Sequence, residues 1–476
     1  MGSSQTNKHE KLIVDSIHGG IYLTEREVQV IDTASFQRLR HLKQLAMAQL
    51  VYPTATHTRF AHSIGTLGMM ERILRAAKNN GIKFKKEERE NLRIAALLHD
   101  IGHYPYSHLM EKIDKSKLTE ELVAGGQPDG KPLNASKTKY PEHTEVGKLI
   151  VTNQDDLIKA IGGEDRAKTI AELFTLHPRL SKLIHSSLDI DRLDYLPRDS
   201  HATGVPYGQI DVNYLLNNLK VNQEGAIGFL ERALPAVEHL LLARFFMHRV
   251  VYYHKTIYGF EEVCRQLLRR LRDRDGEHYS IPVDGKAVED KVVSPDLNNF
   301  TDAFVDNVIQ QAVEDEDKVV QALARCVQSR KPPKLLKEVQ ICEETEEEYH
   351  AGSTFKQNCK AKLSKLADEF KIPLGQFLFC ETSSFVGKNP KKYTASEAVK
   401  LPSDDIRSRA SEEEEEDIKI FVGNDAEPIS WRGIKHSLVA KYANYSLQVF
   451  RLYVVYDDDV VISKLGDKVK DWDKTE

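Results

Sequence analysis

The chain has 476 residues, a formal net charge of -5 at pH 7, 41% hydrophobic residues and 29% charged residues. This balance is typical of a soluble globular protein with two or three structural units around one dominant core. The excess of acidic residues argues against a surface adapted to non-specific DNA binding. No apolar run approaches the roughly 18 residues that a membrane-spanning helix requires.

Signals for a particular compartment are few. The opening residues MGSSQT loosely fit the pattern for myristoylation of Gly2, but we favour a start codon or expression remnant within a disordered tail at 1–10. No secretory signal pattern is recognisable, so we expect a cytoplasmic location, or a nuclear one in a eukaryote. The cysteines form no CxxC pair, which favours free thiols over disulfides or a cysteine-ligated zinc. They are Cys264, Cys326, Cys342, Cys359 and Cys380.

The first half of the chain is predicted to be mostly helical. In HSIGTLGMMERILRAA, the residues Ile64, Leu67, Met70 and Leu74 recur at steps of three and four, which predicts one buried helix face. The segment RIAALL is apolar almost all round, which indicates a short central helix. The polar stretch at about 115–142, with its Gly and Pro residues, is predicted to be a surface excursion between two core helices.

The second half of the chain has a mixed pattern from about residue 275. The segments GQFLFCETSSFVG, IKIFVG and LYVVYDDDVVI predict strands, and a run of glutamates predicts an exposed acidic loop at 411–417. We therefore predict a mainly α fold, with a helical core at 11–270 and a smaller mixed α/β lobe at 271–476. The basic run RQLLRRLRDR at 265–274 is either a solvated helix face, the more frequent case, or a contact for phosphate or nucleic acid.

Three segments carry side chains that can bind a metal or transfer a proton. THTRFAHSIG contains His57 and His62, and LLHDIGHYPYSH contains His99 and Asp100. SLDIDRLDYLPRD contains Asp189, Asp191, Asp194 and Asp199. Imidazole and carboxylate ligands must converge from separate rigid elements to hold an ion. Each segment alone is commonplace, because a single histidine or an Asp-rich helix is more often structural. The order His, His-Asp, Asp-x-Asp-Arg-x-Asp-Tyr is more specific than any of its parts.

These segments, together with IHGGIYLTEREVQVIDTASFQRLRHLKQL and MHRVVYYHK, resemble the HD-domain deoxynucleoside triphosphate triphosphohydrolases over about residues 11–260. The resemblance implies an HD-type helical core and metal-dependent hydrolysis of a dNTP to a deoxynucleoside and inorganic triphosphate. It implies a divalent ion, with Fe, Mn, Mg, Ni and Zn as candidates, and a Mg²⁺ ion that accompanies the substrate triphosphate. The implied metal ligands are His62, His99, Asp100 and Asp191.

The resemblance implies further roles around this ion. His103, His108 and His143 match histidines that contact the phosphates, and His108 would protonate the leaving 5′-oxygen. Glu111, one helical step beyond His108, would orient this histidine and raise its pKa. A tyrosine stacked on the deoxyribose would leave no room for a 2′-hydroxyl. The implied substrate contacts are Gln44, Leu45, Arg59, Arg192, Tyr195, Asp199, Arg244, His248 and Tyr252.

Regulation is a further implication of the resemblance. In that family a guanine nucleotide binds between subunits and favours a homotetramer. The residues that match this effector site are Lys11, Asp32, Gln37 and Arg40. Val14 and Tyr214 depart from the Asn and Arg that contact a second, deoxynucleotide effector in animal members. We therefore expect this second effector site to be altered or absent.

Two other functions stay open. One is an HD-type phosphodiesterase or nucleotidase that acts on another nucleotide, and the other is a binding module for a nucleotide or a nucleic acid. All four implied metal ligands are present, which favours an enzyme. The neighbouring histidines and arginines favour a substrate with a long polyphosphate. Nucleic-acid binding is an alternative without a supporting motif.

Overall fold

The computed structural model describes residues 11–81, 84–113, 138–174, 190–222, 227–276, 278–342, 346–385, 418–423, 427–442 and 446–474. The tail at 1–10 and the acidic loop at 411–417 lie outside these residues. Most of the surface excursion predicted at about 115–142 lies outside them as well.

Helices dominate the described residues, which confirms the prediction of a mainly α fold. Within these residues no helix is both long enough and apolar enough to cross a bilayer. In chain order, helices α1 to α17 span Glu25–Ile31, Ala34–Gln37, Arg59–Asn79, Lys86–Leu98, His108–Glu111, His143–Asn153, Asp155–Ile161, Glu164–Glu172, Ile190–Thr203, Val212–Asn217, Leu234–Met247, Lys255–Asp275, Gly285–Val293, Asp302–Ala312, Lys318–Gln328, Glu346–Phe370 and Asp459–Val469.

The strands of the described residues form three small sheets. A hairpin consists of the antiparallel strands β1 and β2. A second sheet has the order β3-β4-β7-β8, in which only β4 and β7 run parallel, and a third has the antiparallel order β5-β9-β6. Strands β1 to β9 span Lys11–Asp15, Gly19–Leu23, Leu219–Val221, Ile227–Leu230, Lys334–Cys342, Phe377–Phe385, Lys419–Phe421, Ile429–Ser430 and Ser446–Val454.

Helices α3 and α4 pack against each other at the centre of the molecule. The predicted apolar face of α3 is buried, and in α4 every residue of 91–98 is buried, so the His-Asp pair follows a central helix as predicted. Gly65 in α3 permits close packing against α9, because a Cβ atom there would lie 1.9 Å from Asp194 Oδ1. These contacts place the ends of α3, α4 and α9 next to one another.

Helices α13, α14 and α15 belong to the main core, although their sequence pattern is mixed. Their buried residues Val288, Val305 and Leu323 join the same apolar cluster as α3 and α4. Short amphipathic helices rich in valine resemble strands in composition, which explains the ambiguity. The division of the chain near residue 270 stays a prediction.

A second apolar cluster lies in the C-terminal part, between the sheet β5-β9-β6 and the helices α16 and α17. The strand prediction for LYVVYDDDVVI is correct for its first part, which β9 contains, and wrong for its second part. Asp458 accepts hydrogen bonds from the backbone N–H groups of Val460 and Val461. This aspartate caps α17, and the valines that follow it therefore enter a helix.

The basic run RQLLRRLRDR lies on α12, and its interpretation as a solvated face is wrong. Arg265, Arg269 and Arg272 are buried, and Arg270 Nε lies 2.9 Å from Asp317 Oδ2. Arginine stems pack on apolar surface while their head groups find polar partners. The run is therefore mostly part of the core.

Candidate metal centre and active site

Four side chains converge where α3, α4 and α9 meet. His62 stands in the first turn of α3, His99 and Asp100 follow α4, and Asp191 stands in the first turn of α9. His62 Nε2 lies 2.9 Å from Asp191 Oδ1 and 3.5 Å from Asp100 Oδ2. His99 Nε2 lies 3.4 Å from Asp100 Oδ1 and 3.8 Å from Asp191 Oδ1. The structure thus brings together the four residues that the sequence nominates as metal ligands.

His62, His99, Asp100 and Asp191 are called the metal cluster below, and their donor atoms fit a divalent cation. His99 Nδ1 lies 2.8 Å from the carbonyl oxygen of Ala96, and His62 Nδ1 lies 2.7 Å from Asp194 Oδ2. Both Nε2 atoms are buried and have no hydrogen-bond partner among the described residues. Two orphaned imidazole nitrogens beside two carboxylates form a ligand set suited to a transition-metal ion. The cluster can therefore hold a metal.

The charges of the metal cluster favour a cation at its centre. Burial alone would lower the pKa of His62, but the neighbouring carboxylates of Asp191 and Asp194 raise it to about 10. Burial opposes the ionisation of Asp191 as well, yet the neighbouring imidazoles of His62 and His99 hold the pKa of this carboxyl below its usual range. A divalent ion would supply the positive charge that a protonated His62 otherwise supplies.

Three further histidines form a second cluster beside the first. The rings of His103 and His143 stack with their centroids 4.3 Å apart, and the centroid of His108 lies 5.0 Å from that of His103. Glu111 contacts two of these rings. Its Oε2 lies 2.6 Å from His108 Nδ1, and its Oε1 lies 3.0 Å from His143 Nδ1. Glu111 therefore orients His108, as the sequence predicts.

Glu111 raises the pKa of His108 as predicted, but the net pKa of this ring is lower than usual. Burial lowers the pKa of His108, and this effect outweighs the hydrogen bond with Glu111, while the charge of Lys112 lowers it further. Burial also lowers the pKa of His103 well below its usual value, and the charge of Arg59 adds to this. Neutral imidazoles are therefore favoured at both positions until an anion arrives.

A cavity of about 650 Å³ opens onto both clusters, and this size is typical of small-molecule sites. The structure brings together in its lining all nine residues that the sequence nominates as substrate contacts. One of its elements is the π-helical turn His248–Tyr252, and such turns are frequent at functional sites. The nine lining residues are Gln44, Leu45, Arg59, Arg192, Tyr195, Asp199, Arg244, His248 and Tyr252.

Part of the lining is cationic, and part offers oriented hydrogen bonds. Burial lowers the pKa of His248 to about 3, and the charges of Arg244 and Arg192 contribute to this. Elsewhere in the cavity the hydroxyl of Tyr252 donates to Asp199 Oδ2 at 2.7 Å. The arginines can neutralise an anionic ligand, while the Asp199–Tyr252 pair can hold a hydroxyl group.

Arg59 lies between a metal-cluster carboxylate and a strained turn. Its Nη1 lies 2.5 Å from Asp100 Oδ2, and its Nε and Nη2 donate to Ser107 Oγ at 3.2 Å and 3.0 Å. Tyr106 and Ser107 have φ angles of 53° and 52°, a left-handed conformation that costs free energy in residues other than glycine. The turn presents Ser107 to Arg59 and His108 to the cavity.

Sequence reasoning missed several residues of the cavity. Lys112, Tyr253 and Glu261 line it, as do residues 381–383 of β6. Arg265 lines it too, and it belongs to the basic run for which a phosphate contact was the alternative interpretation. Lys112 and Tyr253 are neighbours of predicted site residues in the sequence, so that adjacency was an available signal. Glu261 on α12 and residues 381–383 of β6 lie far along the chain, where no local pattern indicates a contact with the motifs.

The residues predicted for an effector nucleotide lie outside the cavity lining. Arg40 Nε donates to Gln37 Oε1 at 2.7 Å, so the structure brings these two residues together. Lys11 begins β1 and Asp32 follows α1. Among the described residues no hydrogen bond or ion pair joins Lys11 or Asp32 to the other two, and the effector site stays a prediction.

Comparison with known families agrees with this arrangement. A family model described as HD domain matches residues 59–199, a range that contains the whole metal cluster. Residues 59–199 of this chain thus match an HD domain. A second model, described as HD associated region, matches residues 210–281, which contain the π-helical turn and all of α12. The HD domain thus supplies both histidine-containing clusters, and the associated region supplies the far part of the cavity.

Relatives of this chain occur in archaea, bacteria and eukaryotes. An uncharacterized protein of Methanocaldococcus jannaschii is 36% identical over 52% of this chain and 47% of its own length. An uncharacterized protein of Bacillus subtilis is 28% identical over 66% of this chain and 69% of its own length. The deoxynucleoside triphosphate triphosphohydrolase SAMHD1 homolog of Dictyostelium discoideum is 31% identical over 53% of this chain and 47% of its own length. The match thus spans about half the length of two of these relatives.

Solved structures share the fold over most of the chain. A phosphohydrolase of Bacteroides thetaiotaomicron superposes with a TM-score of 0.64 at 22% identity, and the match covers 93% of this chain and 99% of that one. A hypothetical protein of Aquifex aeolicus superposes with a TM-score of 0.62 at 22% identity, and the match covers 98% of this chain and 100% of that one. The shared fold therefore extends beyond the HD domain into the C-terminal part.

Proposed function

We propose that this protein is a metal-dependent phosphohydrolase that converts a dNTP and water into a deoxynucleoside and inorganic triphosphate. The observation that carries the proposal is the convergence of the metal cluster, the second histidine cluster and three arginines on one cavity. These arginines are Arg59, Arg192 and Arg244. The triphosphohydrolase name of the Dictyostelium discoideum relative supports the choice of substrate.

In this proposal His62, His99, Asp100 and Asp191 hold the metal ion. A divalent ion bound there would polarise a phosphate oxygen and lower the pKa of a water molecule. Mixed nitrogen and oxygen ligands do not select among Fe, Mn, Mg, Ni and Zn. We further propose that Mg²⁺ enters with the triphosphate, because hard oxygen ligands suit that ion.

His108 is the general acid in this proposal. The oxygen of water forms a bond to the α-phosphorus, and this water releases one proton to the solvent. The bond from the α-phosphorus to the 5′-oxygen breaks, and His108 gives its proton to that oxygen and later regains one from the solvent. Glu111 holds Nδ1 of the ring at 2.6 Å, which leaves Nε2 for the substrate. Phosphate charges beside His108 and His103 would raise the low pKa values of both rings and favour their protonated forms.

The remaining lining residues would fix the nucleotide. Arg59, Arg192 and Arg244 would bind phosphate oxygens, for which the guanidinium fork is suited. Tyr195 and Tyr252 meet edge to face with ring centroids 6.2 Å apart, and Tyr252 donates to Asp199. We propose that Asp199 accepts a hydrogen bond from the 3′-hydroxyl and that the tyrosines exclude a 2′-hydroxyl. Gln44 and Leu45 would contact the sugar and the base.

We also propose activation by a guanine nucleotide in a homotetramer, with Lys11, Asp32, Gln37 and Arg40 as the binding residues. The support is the resemblance of these positions and the solvent exposure of Lys11, Asp32 and Arg40. An effector acts allosterically only if it binds the assembled, active state more tightly than the other states. A cytoplasmic location stays a prediction.

Product analysis tests the proposed reaction. The protein is loaded with Mn²⁺, Fe²⁺ or Zn²⁺ and incubated with each dNTP, with and without GTP, and the products are separated by ion-exchange chromatography. Deoxynucleoside and intact triphosphate are the expected products. A double variant, His99→Ala with Asp100→Ala, is the control that should lose turnover.

Other products would indicate the alternative functions. A monophosphate with pyrophosphate, or hydrolysis restricted to cyclic or monophosphate nucleotides, would indicate a phosphodiesterase or nucleotidase. Nucleotide binding without turnover under every metal and effector condition would indicate a binding module. Either result would contradict the proposal.

A further inference from the structure

Asp194 is a buried hub that the proposed chemistry does not use. It lies on α9, its side chain is fully buried, and it does not line the cavity. His62 Nδ1 lies 2.7 Å from its Oδ2, and His18 Nε2 lies 2.6 Å from its Oδ1. Arg198 donates from Nε to Oδ2 and from Nη2 to Oδ1, each at 2.8 Å. The carboxylate of Asp194 thus contacts both His62 of the metal cluster and His18, which lies 176 positions before Asp194 in the sequence.

The hub fixes the orientation of His62. The positively charged guanidinium of Arg198 donates to both carboxylate oxygens of Asp194, which favours the charged form of this carboxylate. A charged carboxylate at Nδ1 keeps a proton on that nitrogen, so Nε2, which faces Asp100 and Asp191, is the nitrogen left to bind a metal. The same contact makes the imidazole a stronger electron donor to a metal.

The N-terminal hairpin completes the network. Asp15, the last residue of β1, places Oδ2 at 2.9 Å from Arg198 Nη1. Its Oδ1 accepts hydrogen bonds from the backbone N–H groups of Ile17 and His18 at 2.9 Å and 2.8 Å. Asp15 therefore shapes the turn that presents His18 and also holds the arginine that grips Asp194.

We propose that the β1–β2 hairpin supports the metal centre. Asp194 is a positioning residue for His62. His18 of the hairpin holds Asp194 directly, and Asp15 of the hairpin holds it through Arg198. The inference rests on the metal site of the proposed function and does not depend on its substrate. If the network only fastened the hairpin to the core, its loss would lower stability and leave metal affinity unchanged. Metal affinity therefore separates the two roles.

The test is a measurement of Mn²⁺ affinity on the full chain without nucleotide. The dissociation constant is obtained by competition with a chromophoric chelator for the unaltered protein and for three variants. Asp194→Asn keeps the shape of the side chain and removes its charge, and His18→Gln removes one contact of the hub. Leu12→Thr is the matched control, because Leu12 is 50% exposed on the same hairpin and lies outside the network.

Loss of the supporting carboxylate should weaken Mn²⁺ binding by roughly 10- to 100-fold in Asp194→Asn, the range found when such outer partners of metal ligands are removed. We expect a smaller loss of Mn²⁺ affinity for His18→Gln and no change for Leu12→Thr. Thermal unfolding of the metal-free proteins shows which variants fold. If Asp194→Asn does not fold, His18→Gln decides the question.

Metal binding as tight as in the unaltered protein, together with a lower melting temperature of the metal-free variants, would overturn the inference. Failure of the unaltered protein to bind any divalent ion would overturn it as well, along with the metal site. Absence of dNTP hydrolysis in a protein that binds Mn²⁺ would contradict the proposed substrate alone.

Discussion

Nδ1 of His108 lies 2.6 Å from Oε2 of Glu111. The other oxygen of this carboxylate accepts a hydrogen bond from the backbone N–H of His143 and also lies 3.0 Å from that ring's Nδ1. Hydrogen bonds with His108 and His143 outweigh burial and keep the pKa of Glu111 far below its usual range. One charged side chain therefore sets the orientation of two histidines in the cavity.

Replacement of Glu111 by Gln should change the pH dependence of turnover. The negative charge raises the pKa of His108, so its removal lowers that pKa further. A general acid works only while protonated, and the rate should therefore decline at lower pH in Glu111→Gln than in the unaltered enzyme. We expect a roughly 10- to 100-fold loss of kcat at neutral pH, with little change in KM. The measurement is kcat from pH 5 to 9.

Glu145→Gln is the matched control for this measurement. Glu145 stands on α6, is 56% exposed, and pairs with Lys148 rather than with a histidine of the cavity. Its pH profile should coincide with that of the unaltered enzyme. Identical profiles for Glu111→Gln and Glu145→Gln would contradict the role assigned to Glu111.

Metal addition should stabilise the folded protein through the four-residue cluster. An ion that binds only the folded state stabilises it by about 2.7 kcal/mol at a free concentration one hundred times its dissociation constant. The unaltered protein should therefore melt at a higher temperature with Mn²⁺ than after treatment with a chelator. In the variant with His99→Ala and Asp100→Ala the two melting temperatures should coincide. An equal Mn²⁺ effect in both proteins would show that the ion binds elsewhere.

The sequence predicted the parts of the site that follow from local patterns. The apolar periodicity of α3 and the all-round apolar α4 indicated the two helices that carry His62 and His99, and both are buried. The contact of His18 with Asp194 joins residues 176 positions apart, and no periodicity reports it. Local rules also failed where aspartates precede valines, because the cap at Asp458 determines a helix where composition suggested a strand.

The resemblance supplied the residues of the cavity, while the structure supplied their electrostatics. A sequence places Glu111 one helical turn from His108, and from this spacing a raised pKa follows. The net pKa of His108 is nevertheless lowered, because burial and the charge of Lys112 outweigh the effect of Glu111. Burial and the position of Lys112 depend on packing, which the spacing does not contain.

Replacement of Gly102 by Ala should destabilise the protein and displace His143. A Cβ atom on Gly102 would lie 2.0 Å from the carbonyl oxygen of His143 and 2.2 Å from the nitrogen of Gly147, both of them backbone atoms of α6. Overpacking of this kind costs about 1–3 kcal/mol or more, because the helix must move. Urea unfolding measures the loss, and kcat should fall with it.

Gly466→Ala is the matched control of opposite sign. A Cβ atom at Gly466 on α17 would meet no heavy atom within 4 Å, and alanine is favoured over glycine inside a helix by about 0.5–1 kcal/mol. We expect the free energy of unfolding to rise in Gly466→Ala and to fall in Gly102→Ala. Unchanged stability in Gly102→Ala would contradict the close approach of α6.

Glu261 should make the stability of the protein depend on pH. Burial in the cavity wall raises the pKa of Glu261 to about 7 from an ordinary value of 4.5, although the charges of Arg265 and Lys112 oppose this. Between these two values the folded chain keeps a proton that the unfolded chain has released. The folded state therefore loses stability as the pH rises from about 4.5 to about 7, and the contribution is constant outside this window.

The variant Glu261→Gln removes this titration and should therefore gain stability relative to the unaltered protein as the pH rises through the same window. Urea unfolding of both proteins at several pH values from 4.5 to 8 measures the difference, in which the titrations of all other groups cancel. Glu314→Gln is the control, because the Glu314 side chain is 83% exposed and its replacement should give a difference independent of pH. A difference for Glu261→Gln that is equally independent of pH would mean that Glu261 is ionised in the folded protein, and that water or a cation in the cavity compensates its charge.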